Sequence, residues 1–184
     1  MAQSETATYT PEALLRHPDA VGYELVNGTL AKRHTSAALS RLTVRIGFLL
    51  ATEADRTREA TVYAADLGYQ CFPNDPGNIR KPDISIVRKQ CLKALQGDPD
   101  YMPIPADLAV EVTSPEDLFH DVAAKVEEYL NAGFGAVWVA YPPLKSITVY
   151  KAGGVAAVLH ENDQITGEPA LAGFRCRVGD FFQD

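Results

Sequence analysis

The sequence predicts an α/β domain built on a mixed, partly covered β-sheet. Two observations carry that expectation. Stretches with helical and with strand periodicity follow one another as helix, strands, helix, strand, and 46% apolar against 22% charged residues is the balance of a chain that buries a core. The 184 residues amount to about one domain, so positions 1–184 are expected to form a single unit. The same composition excludes disorder, a coiled coil and a collagen-like repeat.

Thr10-Pro11-Glu12-Ala13-Leu14-Leu15 opens a short helix, with Thr as N-cap and Pro where its missing N–H costs nothing. Tyr23-Glu24-Leu25-Val26 and Thr29-Leu30-Ala31-Lys32 flank Asn27-Gly28, a dipeptide suited to the positive φ of a type I′ hairpin turn. From Thr35 to Ala54, Leu39, Leu42, Ile46, Leu49 and Leu50 recur at helical spacing, and Arg41 and Arg45 form a basic flank. Thr61 to Phe72 reads as one long or kinked strand that breaks at Pro73-Asn74-Asp75-Pro76-Gly77. Ile84-Ser85-Ile86-Val87 and Leu108-Ala109-Val110-Glu111-Val112 are interior strands by their β-branched content. Ser114-Pro115-Glu116-Asp117 supplies a cap, a proline and an acid in helix-starting order. On that helix Leu118, Phe119, Val122, Val126, Tyr129 and Leu130 form the apolar stripe, with Gly133 ending it. Phe134 to Ala140, Ser146 to Lys151 and Val155 to His160 read as three further strands, the last two joined at Gly153-Gly154. Residues 1–33 and 141–184 look like additions to the core: an N-terminal hairpin and a C-terminal β extension.

The net charge of −7 gives the whole molecule no pull toward nucleic acid. It is unevenly spread, because eleven basic against six acidic residues lie between Ala31 and Lys93. That asymmetry fits a basic face beside a carboxylate-rich, metal-binding region, or a chance spread of solvated charge. Three cysteines without a CxxC pairing suggest neither a disulfide framework nor a thiolate zinc site, so a reducing cytoplasm is the expected setting. No basic region followed by an apolar stretch opens the chain, and no run of about 18 apolar residues occurs, so neither secretion nor membrane insertion is expected.

Two acids stand out. Asp83 sits at the mouth of one apolar strand and Glu111 interrupts another, opposite in direction to Val110 and Val112. A lone strand Glu faces water; two acids on two candidate central strands are a different case, because carboxylates placed side by side repel and are kept for a divalent cation or for acid–base work. Mg²⁺ is served by one or two carboxylates, its remaining positions going to water and phosphate. Lys125 lies at the edge of the apolar stripe, between Val122 and Tyr129. It is placed either to lean over those acids or to pair with Asp121 or Glu128 and reach water.

Pro82-Asp83, Glu111-Val112-Thr113-Ser114-Pro115, Asp121, Lys125, Tyr129, Gly133 and Ala136-Val137-Trp138-Val139, together with Tyr23-Glu24-Leu25-Val26-Asn27-Gly28 and His34, resemble the Uma2 family within the PD-(D/E)XK nuclease superfamily. The resemblance runs in order through residues 20–151. It implies a restriction-endonuclease-like core, Mg²⁺ or Mn²⁺ as cofactor, and hydrolysis of nucleic acid, DNA foremost, as an endonuclease. Asp83 and Glu111 match the family's metal-binding acids and Lys125 its helix lysine. Glu24 matches the hairpin acid, as a further ligand, a general base or a water-facing side chain. The strict motif would place lysine two residues after Glu111, where this chain has Thr113. Thr113, Ser114 and Tyr129 are placed to hydrogen-bond in the site or to cap and pack; Trp138 belongs to the core. The nucleic-acid contacts expected are His34, Arg41, Arg45, Arg80 and Lys81, the basic side chains tracking phosphates. A homodimer is one arrangement for duplex cutting. The competing reading is a catalytically silent nuclease scaffold that binds nucleic acid or protein. A third, a hydrolase of small phosphoesters, lacks a phosphate-cradling Gly-rich loop.

Overall fold

The computed structural model describes residues 8–154 and 157–183. Its centre is a six-stranded mixed sheet in the order β3 (Ala60–Ala64), β4 (Ile84–Arg88), β5 (Leu108–Val112), β6 (Ala136–Tyr141), β7 (Ser146–Lys151), β8 (Ala157–Leu159). Only β5 and β6 run parallel. A short helix, α3 (Lys89–Leu92), follows β4, and a longer one, α4 (Phe119–Asn131), fills the crossover between β5 and β6, as a parallel pair requires. The other neighbours are antiparallel.

Alternation along β5 divides the core. Leu108, Val110 and Val112 face a long helix, α2 (Ala37–Thr57), whose Leu39, Leu42, Ile46 and Leu50 are buried on that side; each contributes about 2 kcal/mol of hydrophobic stabilisation. Trp138 lies in this layer with Phe174 and Phe181. Ala109 faces the other way, into a layer of Val126 and Tyr129 from α4 with Tyr69, Phe72 and Phe134. A third cluster joins Leu14 of α1 (Pro11–Leu15) to Leu25, Ile79 and Tyr101.

The N-terminal hairpin forms as its turn residues dictate. β1 (Tyr23–Val26) pairs with β2 (Thr29–Lys32) around Asn27 at φ 50° and Gly28 at φ 72°. Thr10 caps α1, accepting from the Ala13 N–H at 3.2 Å. Gly153 and Gly154, both at positive φ, turn the chain after β7.

Several expectations need correcting. The strand read over 61–72 ends at Ala64; the chain then turns, the Leu67 N–H donating to Ala64 O, and Tyr69 makes only isolated bridges to Arg80 and Met102. The aromatic residues beyond that end, Tyr69 and Phe72, pack a core layer without joining the ladder. α4 begins at Phe119 and not at Pro115. Asp117 turns its carboxylate back to the Ser114 N–H at 2.7 Å while Ser114 Oγ accepts from Glu116 N–H, so the residues read as a helix cap close a local turn. The first two residues of the predicted stripe, Leu118 and Phe119, are consequently exposed. The helix read over 35–54 is capped by Ser36 and continues to Thr57. Neither end of the chain is a mere addition: β7 and β8 extend the central sheet, Phe174, Val178 and Phe181 complete its core, and the hairpin enters the site described below. Of the strand read over 155–160, positions 155 and 156 lie outside the described residues. Among those residues, no helix is long and apolar enough to cross a membrane, and Cys71, Cys91 and Cys176 are unpaired.

Candidate active site

Three backbone placements bring distant residues to one point. Ile84 pairs with Val110 across β4 and β5, so one step further in the same register Asp83 stands beside Glu111. Their side chains share a face, as opposed residues in an antiparallel pair do. Asp83 Oδ2 accepts from the Val112 N–H at 2.7 Å. Next, Leu25 and Ile79 exchange backbone hydrogen bonds of 2.9 and 2.8 Å. That bridge lays residues 79–81 against β1 and, because Leu25 points into its apolar cluster, turns Glu24 the other way, toward Arg80. Finally, α4 crosses this face of the sheet with Lys125, Glu128 and Tyr129 directed at it.

The result is a continuous ion cluster at the wall of a cavity of about 480 Å³. Lys125 Nζ lies 2.9 Å from Glu111 Oε2 and 2.9 Å from Glu24 Oε1. The Tyr129 hydroxyl donates to Glu111 Oε1 at 2.8 Å. Glu24 also accepts the Lys81 N–H at 2.8 Å and Arg80 Nη1 at 3.0 Å. Arg80 grips Glu128 through Nε and Nη2 at 2.7 and 2.8 Å. Arg33 Nη2 donates to Asp83 Oδ1 at 2.6 Å and its Nη1 to Ala65 O at 3.0 Å. Among the described residues, no buried side-chain polar atom lacks a partner, as a low-dielectric cluster demands.

The two buried glutamates have different electrostatic surroundings. Burial alone pushes Glu24 up, but Lys125 and Arg80, aided by the Lys81 N–H, hold it down at about 2. It is therefore a permanent anion and anchors Lys125. Burial also dominates at Glu111, where Lys125 opposes it but the Asp83 and Glu24 charges add to it, and the carboxyl is raised to about 7. Burial pushes Lys125 down, and Glu111 and Glu24 more than restore it, leaving the ammonium charged. Tyr129 is raised by burial and by the Glu111 and Glu24 charges, so it stays a donor.

A pH dependence follows from Glu111. Its folded-state value lies above that of an unfolded carboxylate, so between the ordinary 4.5 and about 7 the folded chain holds the extra proton and stability falls as pH rises. Urea unfolding in chelator from pH 5 to 8 is expected to show that decline in the wild type and a flatter profile in Glu111→Gln. An equal slope in both would place the titration elsewhere.

Asp83, Glu111, Lys125 and Glu24 thus meet in one place, and Lys125 takes the two buried acids as partners instead of Asp121 or Glu128. The expected nucleic-acid contacts divide. His34 is exposed at the cavity mouth, its Nδ1 3.4 Å from Asp117 Oδ1. Arg80 and Lys81 are buried and committed to Glu24, Glu128 and, for the Lys81 ammonium, Ala20 O, so neither is presented to a phosphate backbone. Arg41 and Arg45 belong to α2, on the opposite face of the sheet; Arg41 is exposed, and Arg45 Nε binds Asp180 O at 3.1 Å. A surface position on a helix wheel says nothing of which sheet face the helix covers. Thr113 Oγ1 donates to Ala140 O at 3.0 Å and is buried, so it packs and takes no place in the ion cluster. Arg33, read only as one charge among many, is the residue missed. Its partner is 50 residues away, and only the exit of the hairpin gives a local hint.

The family model for Uma2, described as "Putative restriction endonuclease", matches residues 11–179. The chain belongs to the Uma2 family. Among solved structures, Uma2's fold is shared by a protein described as "a putative nuclease belonging to DUF820" from Anabaena variabilis ATCC 29413, with a TM-score of 0.80 over 94% of this chain and 97% of that one at 16% identity. Identity that low shows the fold and nothing finer. No curated protein matches the chain. The α/β architecture with its mixed central sheet is therefore that of a nuclease-like Uma2 domain.

Proposed function

We propose that this Uma2 chain is a divalent-metal-dependent endonuclease, acting on DNA phosphodiesters, with residues 24–129 supplying its active site. The observation that carries this reading is the meeting of Asp83 and Glu111, side by side across paired strands, with the Lys125 ammonium in one cavity.

The donor set suits Mg²⁺ or Mn²⁺. Among the described residues no cluster of three or more His, Cys, Asp or Glu side chains is arranged to hold an ion. Two carboxylates with waters and substrate phosphate are nevertheless the usual complement for Mg²⁺. Asp83 and Glu111 would hold the cation. When bound, it supplies Lewis-acid polarisation of a phosphoryl oxygen and activation of water at neutral pH. Lys125, fixed by Glu24 and Glu111, presents a positive charge toward the phosphate as negative charge builds there. Tyr129 holds the Glu111 carboxylate in place, and Lys32 and His34 at the mouth are the basic groups that reach incoming nucleic acid.

The test is direct. Purified protein with Mg²⁺ or Mn²⁺ is expected to cut DNA, and cleavage is expected to fall to background in Asp83→Ala. Absence of cleavage on single- and double-stranded DNA and RNA, or cleavage untouched by Asp83→Ala, would overturn the assignment. One observation favours a silent scaffold instead: Thr113, in the position the strict motif gives to lysine, turns into the core. Nucleic-acid binding without metal-dependent turnover would select that reading.

A further inference from the structure

The shortest ion pair in the site is made by a residue outside the expected set. Arg33 follows β2 directly, its backbone N–H donating to Gly22 O at 2.9 Å. Its side chain is only 17% exposed. The guanidinium is held by Ala65 O at 3.0 Å and closes on Asp83 Oδ1 at 2.6 Å. Oδ2 already accepts the Val112 N–H, and the Arg33 guanidinium sits on Oδ1, so a cation approaching Oδ1 meets Arg33 directly. A divalent ion binding the same oxygen at about 2.0–2.1 Å, the Mg²⁺ distance, would place its charge a few ångströms from the guanidinium in a partly desolvated cavity, where like charges repel strongly.

Granted the assignment of Asp83 and Glu111 as cation ligands, on which this rests, we propose that Arg33 is the built-in counter-ion of Asp83 and that a divalent cation binds by displacing it. The exchange keeps Asp83 neutralised at every stage and sets the affinity for metal below what the carboxylates alone would give. The released guanidinium stays tethered near Ala65 at the cavity wall. There its planar fork matches the paired oxygens of a phosphate, making Arg33 a substrate contact that is free to turn to phosphate only once metal has entered.

The measurement is calorimetric titration of Mn²⁺ into chelator-treated full-length wild type, Arg33→Gln, Arg33→Lys and Asp83→Ala, with urea unfolding of each metal-free protein. Arg33→Gln is expected to bind Mn²⁺ about tenfold tighter while its metal-free form loses stability. A merely structural arginine would move the second readout and not the first. Arg33→Lys, with a charge but no fork, is expected to fall between the two and decides the matter if Arg33→Gln does not fold. Affinity equal to or weaker than wild type in the folded variant overturns the counter-ion role alone. If wild type takes up no Mn²⁺, or Asp83→Ala binds it equally well, the metal-ligand assignment falls and the counter-ion role with it.

Discussion

Lys125→Ala is expected to cost about 3 kcal/mol of stability and to lower cleavage by about 10²–10³. The ammonium stands 2.9 Å from Glu24 and 2.9 Å from Glu111, side chains that are 5% and 13% exposed. Removing one partner of a buried pair leaves a charge without compensation, which costs more than the pair contributes. Here Glu111 is left with only the Tyr129 hydroxyl, and although Glu24 keeps Arg80, the two carboxylates then face each other and Asp83 without the cation between them. The lower end of the usual 3–5 kcal/mol range applies because Lys125 retains some contact with solvent. Urea unfolding at pH 7 in chelator is expected to show a lower midpoint with an unchanged slope. The deficit should grow above pH 7, where wild-type Glu111 gives up its proton readily but the variant's, without Lys125 to lower it, must do so against the Glu24 and Asp83 charges. A loss below about 1 kcal/mol, the range of exposed pairs, would mean that Lys125 reaches water as ordinary helix lysines do.

Arg80→Ala is expected to destabilise by about 3 kcal/mol, although its guanidinium need not touch substrate. It grips Glu128 through two nitrogens at 2.7 and 2.8 Å and Glu24 through a third at 3.0 Å. That fork ties the hairpin to α4 across the segment that precedes β4. Lysine cannot reproduce a two-pronged contact and a third bond at once, so Arg80→Lys is expected to recover less than half of the loss. The cleavage defect of Arg80→Ala should be the smaller of the two, because Lys125 keeps Glu24 and Glu111 as partners. Full recovery by lysine would reduce the role of Arg80 to charge alone.

How much of this was legible depends on the kind of signal. The Asn27-Gly28 turn, the cap at Thr10, and the alternation that sets Glu111 opposite Val110 and Val112 are local, and the folded chain obeys them. The Asp83, Glu111 and Lys125 positions could be picked out because acids on apolar strands and a lysine beside an apolar stripe break a pattern. Two errors share a cause. The 61–72 strand and the helix start at Pro115 both rested on propensity, which Ala65-Asp66-Leu67-Gly68 and the Asp117 carboxylate overrode through local hydrogen bonds. Arg33 and Arg80 broke no pattern, because an arginine beside other polar residues reads as solvated. Only contacts spanning 50 and 56 residues show that they point inward.

The reach of those contacts has a consequence for biosynthesis. Glu24 and Arg33 leave the ribosome early, whereas Lys125 and Tyr129 follow about 100 positions later, several seconds at ordinary elongation rates of about 5–20 residues per second. For the first half of that interval the hairpin acid lacks even Arg80 and Lys81, and throughout it lacks Lys125. A nascent chain cannot gather its cations and carboxylates until α4 docks, so any hydrolytic capacity arises late and at one stroke, when the crossover between β5 and β6 closes.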